Sequence, residues 1–220
     1  MPGGPPPQCS DTNAHGEHAG RSKLQLGTGL GSLSSTLRFD ESDEVKIEMS
    51  TISLAGSWQL DEKWSIRTGL GLVYDGTLTP DNTPAFAVKS GGVVAVGLEY
   101  FYHRGEGYSP SLDFSVFVSA SSATIENPTT QNKTNYFSSD LRVGGRASWN
   151  INAKVFPYVA GRVFGGPVSW ELDGIDVIGT DIHHYQFALG TAIQFGSLGT
   201  FVEWAGLGEK AWSIGLSYAL

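Results

Sequence analysis

The chain has 220 residues, a net charge of −8 and no cluster of Lys or Arg, which argues against nucleic acid as a partner because a phosphate-binding surface needs clustered cations. Charged residues make up 16% and glycines number 29, whereas ordinary globular domains carry roughly 25% charge. No run of about 18 apolar residues occurs, which excludes a transmembrane helix, and the lone Cys9 excludes an intrachain disulfide.

Residues 1–22 read as a flexible tail of Pro, Gly, His and small polar residues. The opening "MPGGPPPQCS" has no apolar h-region, so no secretion signal is expected in this sequence. From residue 23 to 220 a period of two dominates, the alternation of β-strands. Ten strand segments follow from it.

The first spans about 22–39, with Leu24, Leu26 and Leu30 on one face. Its apolar residues change parity near Ser32, after which Leu33, Leu37 and Phe39 carry the pattern. The second, 45–60, changes parity near Ser50, between Met49 and Ile52. The two slips are read as paired β-bulges on neighbouring strands. Further strands are expected at 63–75, 88–102, 110–121, 136–151, 155–164, 181–195 and 198–206. The last is the closing "AWSIGLSYAL", where Trp212, Ile214, Leu216, Tyr218 and Leu220 share a face.

The connections alternate in length. "LDEK", "HRGEGYS", "NINAK" and "FGSLG" are short, while the segments near 40–44, 76–87, 122–135 and 165–180 are longer and rich in turn formers. An up-and-down meander with an even strand count puts short turns at one end and long loops at the other, as transmembrane β-barrels do. A soluble barrel of the lipocalin kind, binding a ligand, has the same alternation in the opposite sense. The second face separates the two. It is Gly, Ser and Ala with single charges of mixed sign: Arg67, Glu99, Asp113, Arg142, Arg146, Arg162 and Glu203. Such a face suits a confined lumen better than a water-facing exterior, which would be rich in Lys and Glu. Trp58, Trp64, Tyr100, Tyr102, Trp149 and Tyr218 lie near strand ends, where aromatics form girdles at headgroup level. Phe101, Phe117, Tyr158 and Phe201 fall on the inward face, so a partly filled lumen is expected.

The ten segments, the short-turn/long-loop alternation and the ending "WSIGLSYAL" resemble a bacterial outer-membrane β-barrel protein of the Gram-negative type. The resemblance implies a single up-and-down antiparallel transmembrane barrel over residues 23–220. It also implies outer-membrane lipid and lipopolysaccharide as surroundings, and the barrel-assembly machinery as a partner during biogenesis. That machinery commonly reads a terminal aromatic; Leu220 departs from it, with Tyr218, Leu216 and Ile214 still in register. A porin-like or structural role follows, with outer loops available for adhesion or binding.

Four groups of residues carry site chemistry. His15 and His18, near Glu17, Asp11 and Cys9, have ligand chemistry but no closed-site spacing, so a solvated tail is the expectation. "FDESDE" at 39–44 is an acidic loop without the EF-hand pattern. Asp181, His183 and His184 in "DIHHY" sit at the long-loop end, where Ser169, Asp140 or Glu171 from neighbouring strands would be needed for a lipid or peptide hydrolase. Omptin proteases also have ten strands and lipid A deacylases use a His/Ser pair, yet neither motif is found here. The interior charges are read as lumen ion pairs before pore-lining groups, because small barrels fill their lumens. No cofactor is expected.

Overall fold

The computed structural model describes residues 24–39, 43–81, 84–105, 108–172 and 175–220. The candidate ligands Cys9, His15 and His18, and Asp40 and Glu41 of the acidic segment, lie outside these residues. Twelve strands are formed among the described residues: β1 (Leu24–Phe39), β2 (Asp43–Gln59), β3 (Trp64–Pro80), β4 (Phe86–His103), β5 (Ser111–Glu126), β6 (Lys133–Ser148), β7 (Val155–Gly165), β8 (Val168–Leu172), β9 (Ile175–Asp181), β10 (Tyr185–Phe195), β11 (Leu198–Gly208) and β12 (Lys210–Ala219).

Ten of them close an antiparallel up-and-down barrel, in the order β1 to β7 and then β10 to β12. The closing strand pairs with β11 on one side and with β1 on the other, from Gln25↔Ala219 to Ser34↔Lys210. No edge is left at this seam, which satisfies the backbone in a medium without water. The hairpin β8–β9 is an addition. β8 pairs with β6 over Tyr136↔Trp170 to Ser138↔Val168, and β9 pairs with β1 over Leu37↔Asp181 to Phe39↔Gly179. Since β7 and β10 to β12 stop lower, the hairpin replaces four strands by two. The wall therefore has ten strands at the short-turn end and eight at the other.

The parity changes near Ser32 and Ser50 have a different cause from the paired bulges expected. β1 and β2 stay in one unbroken register from Leu24↔Trp58 to Phe39↔Asp43. What inverts is the medium outside. On β1 the even positions face outward throughout; Leu24, Leu26 and Leu30 are exposed, while odd-numbered Leu33, Leu37 and Phe39 are buried. On β2 Ile52, Leu54 and Trp58 face out, but Val45, Ile47 and Met49 face in. The same exchange occurs on β5 (Val116 out, Ile125 in), while on β3 (Leu72 out, Leu78 in) and β4 (Val94 out, Val88 in) apolar side chains pass from outside to inside across bulges at Tyr74 and Lys89. At the eight-stranded end, the crown, the outward positions carry ion pairs instead: Lys46–Glu48, Arg38–Glu44 and Lys89–Glu126. A wall that is apolar outside at one level and polar outside at the next has crossed a lipid–water boundary. On β2 the outward apolar positions run from Ile52 to Leu60, about 20 Å of height at a tilt of about 40°.

A bulge does exist beside Ser50, on the partner strand: Ser50 pairs with Asp75 and Thr51 with Val73, leaving Tyr74 as the extra residue. The segments expected as long loops are also mostly strand. β3 and β4 reach Pro80 and Phe86, β5 and β6 reach Glu126 and Lys133, and 165–180 folds into the added hairpin. Turn formers there had masked the strand pattern. At the other end the short turns are held by side-chain caps: Asp61 accepts from the Lys63 and Trp64 N–H groups, and Asn150 from the Ala153 N–H. Gly196 turns at a φ of 62°, where a side chain would be strained.

Candidate functional site

Inside the wall, inward positions of neighbouring strands stand opposite one another, so the sequence-predicted charges meet across the lumen. Glu99 on β4 accepts from both Arg67 on β3 and Arg146 on β6, the latter at 3.2 Å. Arg146 also donates through Nε to Asp113 on β5 at 2.9 Å. On the facing wall Arg162 of β7 and Glu203 of β11 form a bidentate pair at 2.8 Å for each arm. Such fork-to-fork geometry is the strong form of an arginine–carboxylate contact. Tyr158 links the halves, donating to Glu203 at 3.1 Å while its ring lies 5.7 Å beneath the Arg146 guanidinium.

The network continues upward through residues that sequence reasoning missed. Arg162 donates to Gln186, Gln186 to Glu209, and Arg142 to both Glu209 and Asp140. The Arg142 guanidinium also sits 4.4 Å over the Phe164 ring. Glu209, in the β11–β12 turn, reads in sequence as a solvated turn residue, yet it is fully buried. Gln186 had a usable signal, since it shares the inward parity of β10 with Ala188 and Ala192. All seven sequence-predicted lumen charges lie in this network. Five of the seven are buried, Glu99 2% and Arg142 5% exposed, and Arg146 and Arg162 are half-buried.

Two apolar layers enclose the charges. Toward the short turns, Phe156, Ala192 and Phe201 pack together. In the crown, Trp170 of the hairpin is buried among Phe39, Val45, Leu78, Val88 and Ile125, edge-on to Phe86 at 5.1 Å. Inward aromatics are accommodated by glycines directly opposite: Phe117 faces Gly97 and Tyr158 faces Gly190. A Cβ at either glycine would overlap the ring. Phe101 is half-buried.

Between the charges and the crown lies a cavity of about 40 Å³, edged by Ser35, Ser138, Tyr136, Asp140 and Asp181, room for about three waters at roughly 10–15 Å³ each. Burial pushes the Asp181 carboxyl above the ordinary aspartate range, against the opposing effect of hydrogen bonds from the Ser35 hydroxyl and the His183 N–H.

The remaining candidates fall elsewhere. His183 is half-buried and stacked edgewise near Tyr185, and His184 is exposed. Among the described residues neither imidazole is hydrogen-bonded to a hydroxyl or a carboxylate, so no nucleophile–base pair is assembled there. No group of three or more metal-ligating side chains is found among the described residues. The strand-end aromatics divide by exposure: Trp58, Trp64, Tyr102 and Tyr218 face outward, and Tyr100 and Trp149 are half-buried. Trp64 packs on Tyr100 at 4.8 Å, and Tyr102 on Phe114 at 6.1 Å.

No protein-family model and no curated protein matches the chain. Solved structures do. The outer-membrane protease OmpT from Escherichia coli superposes with a TM-score of 0.55 at 10% identity, over 90% of this chain and 96% of that one. The translocator domain of the autotransporter NalP from Neisseria meningitidis gives 0.53 at 13% identity, over 90% and 89%. At such identities the likeness is one of fold: this chain has the closed antiparallel barrel of bacterial outer-membrane proteins.

Proposed function

We propose that the protein is a non-conducting outer-membrane barrel that presents its eight-stranded crown outside the cell, a structural or binding role rather than a diffusion pore. The short turns then face the periplasm, and the belt contacts outer-membrane lipid and lipopolysaccharide after insertion by the barrel-assembly machinery. The observation that carries the reading is the filled lumen. A buried chain of paired charges from Arg67 to Asp140 is enclosed by the Phe156/Phe201 layer below and by the Trp170 layer above. A selective pore needs charges that hydrate or coordinate passing ions, and here the carboxylates are taken up by arginines.

Planar-bilayer recording of the refolded protein tests it. The reading expects a silent membrane in protein whose gel migration still shifts on heating. Stepwise conductance from the wild-type chain would overturn it.

A further inference from the structure

The lipid-facing belt is not evenly filled. On β6 and β7 its outward positions are Gly145, Ala147 and Gly161, small residues paired across adjoining strands. Phe114 on β5 rises on one side, and Phe187 and Trp204 on β10 and β11 rise on the other. Between them lies an apolar groove of about 660 Å³. It is continuous with the exposed apolar belt, so its occupant has to be dissolved in the membrane. Its lining is apolar except for Asp113 and Arg146, which bond to each other.

The chain carries a cation below the groove. The floor strands are joined by the short turn at 150–154, and Lys154 in that turn is exposed. Among the described residues, no carboxylate pairs with it. Val159, opposite Ala147, stands five residues above Lys154, about 16 Å along the strand. A cation at that depth below an apolar trough matches a phosphate at headgroup level with a chain rising from it.

We propose that this groove holds one acyl chain of a periplasmic-leaflet phospholipid, with its phosphate against Lys154. The inference rests on the membrane placement proposed above. Native mass spectrometry of the detergent-extracted full chain tests it, with phosphatidylglycerol titrated into delipidated protein. The wild type is expected to keep one lipid. Ala147→Trp, which fills the floor, is expected to lower the bound fraction about tenfold. Lys154→Glu, on an exposed turn, is expected to lower it about fivefold without changing heat-shifted gel migration. The inference is overturned if the wild type retains no lipid, if Lys154→Glu binds as the wild type does, or if the retained mass is a second copy of the chain. A chain that stays soluble without detergent would instead overturn the membrane placement itself.

Discussion

Replacing Glu99 by Gln is the sharpest probe of the filled lumen. The change keeps the side-chain volume and one carbonyl acceptor, but it removes the charge that two guanidinium groups share. Arg146 keeps Asp113 at 2.9 Å; Arg67, 4% exposed, has Glu99 as its ion-pair partner. Breaking a buried pair by removing one partner costs about 3–5 kcal/mol. The amide still accepts a hydrogen bond, so the lower end, about 3 kcal/mol, applies here. That is about a 150-fold change in the folding equilibrium. The assay is urea unfolding in lipid vesicles, read by the heat-shifted gel band. Glu48→Gln is the internal control. It removes half of the Lys46–Glu48 pair, whose side chains are 57% and 50% exposed, and exposed pairs contribute about 0–1 kcal/mol. A second variant, Glu99→Gln with Arg67→Met, should recover part of the loss by removing the stranded cation. If Glu99→Gln matches Glu48→Gln, water fills the lumen and the enclosed charge network is wrong.

Two further outcomes follow from the same geometry. Ile47 and Ile52 lie on one strand, 3% and 44% exposed. Ile47→Ala should cost about 2–5 kcal/mol as a cavity in the crown, and Ile52→Ala much less, measured by the same unfolding assay; equal costs would contradict the inversion. For Asp181 the folded carboxyl titrates above its unfolded value of about 3.9, because burial and nearby Glu209 both disfavour its charge. The folded chain therefore binds more protons over that interval, and this residue's contribution is largest at acid pH and is lost as pH rises through its raised value. In the same unfolding assay, Asp181→Asn should gain stability relative to the wild type as pH rises above about 4, and a constant difference would refute the assignment.

The barrel was legible because lipid on one side and a confined lumen on the other leave a period-two record in every strand. Strand bounds such as 155–164, against the observed Val155–Gly165, follow directly from it. The crown was less legible. Its residues obey the same alternation with the sense reversed, so Ser32 and Ser50 looked like bulges when they mark a change of solvent. The hairpin β8–β9 was hidden by "GGPVSWELDGIDVIGT", whose glycines and acids read as loop although Val168 and Trp170 alternate inward. The seven lumen charges could be seen because each stood alone among small residues. Glu209 could not: an acidic residue in a turn is usually solvated, and nothing local says that this one is buried. The aromatic–glycine pairs, such as Tyr158 with Gly190, required the register, which no single strand contains.

The central claim is that the bilayer ends beside Ser32 and Ser50 and that the strands continue past it as a water-facing crown. Spin labels at outward positions of β2, in a Cys9→Ser background in vesicles, measure this directly through collision with oxygen or with a water-soluble nickel chelate. Labels at Ile52, Leu54 and Trp58 should collide with oxygen. Those at Lys46 and Glu48 should collide with nickel, with the crossover at Ser50. Nickel access along the whole strand would contradict the account.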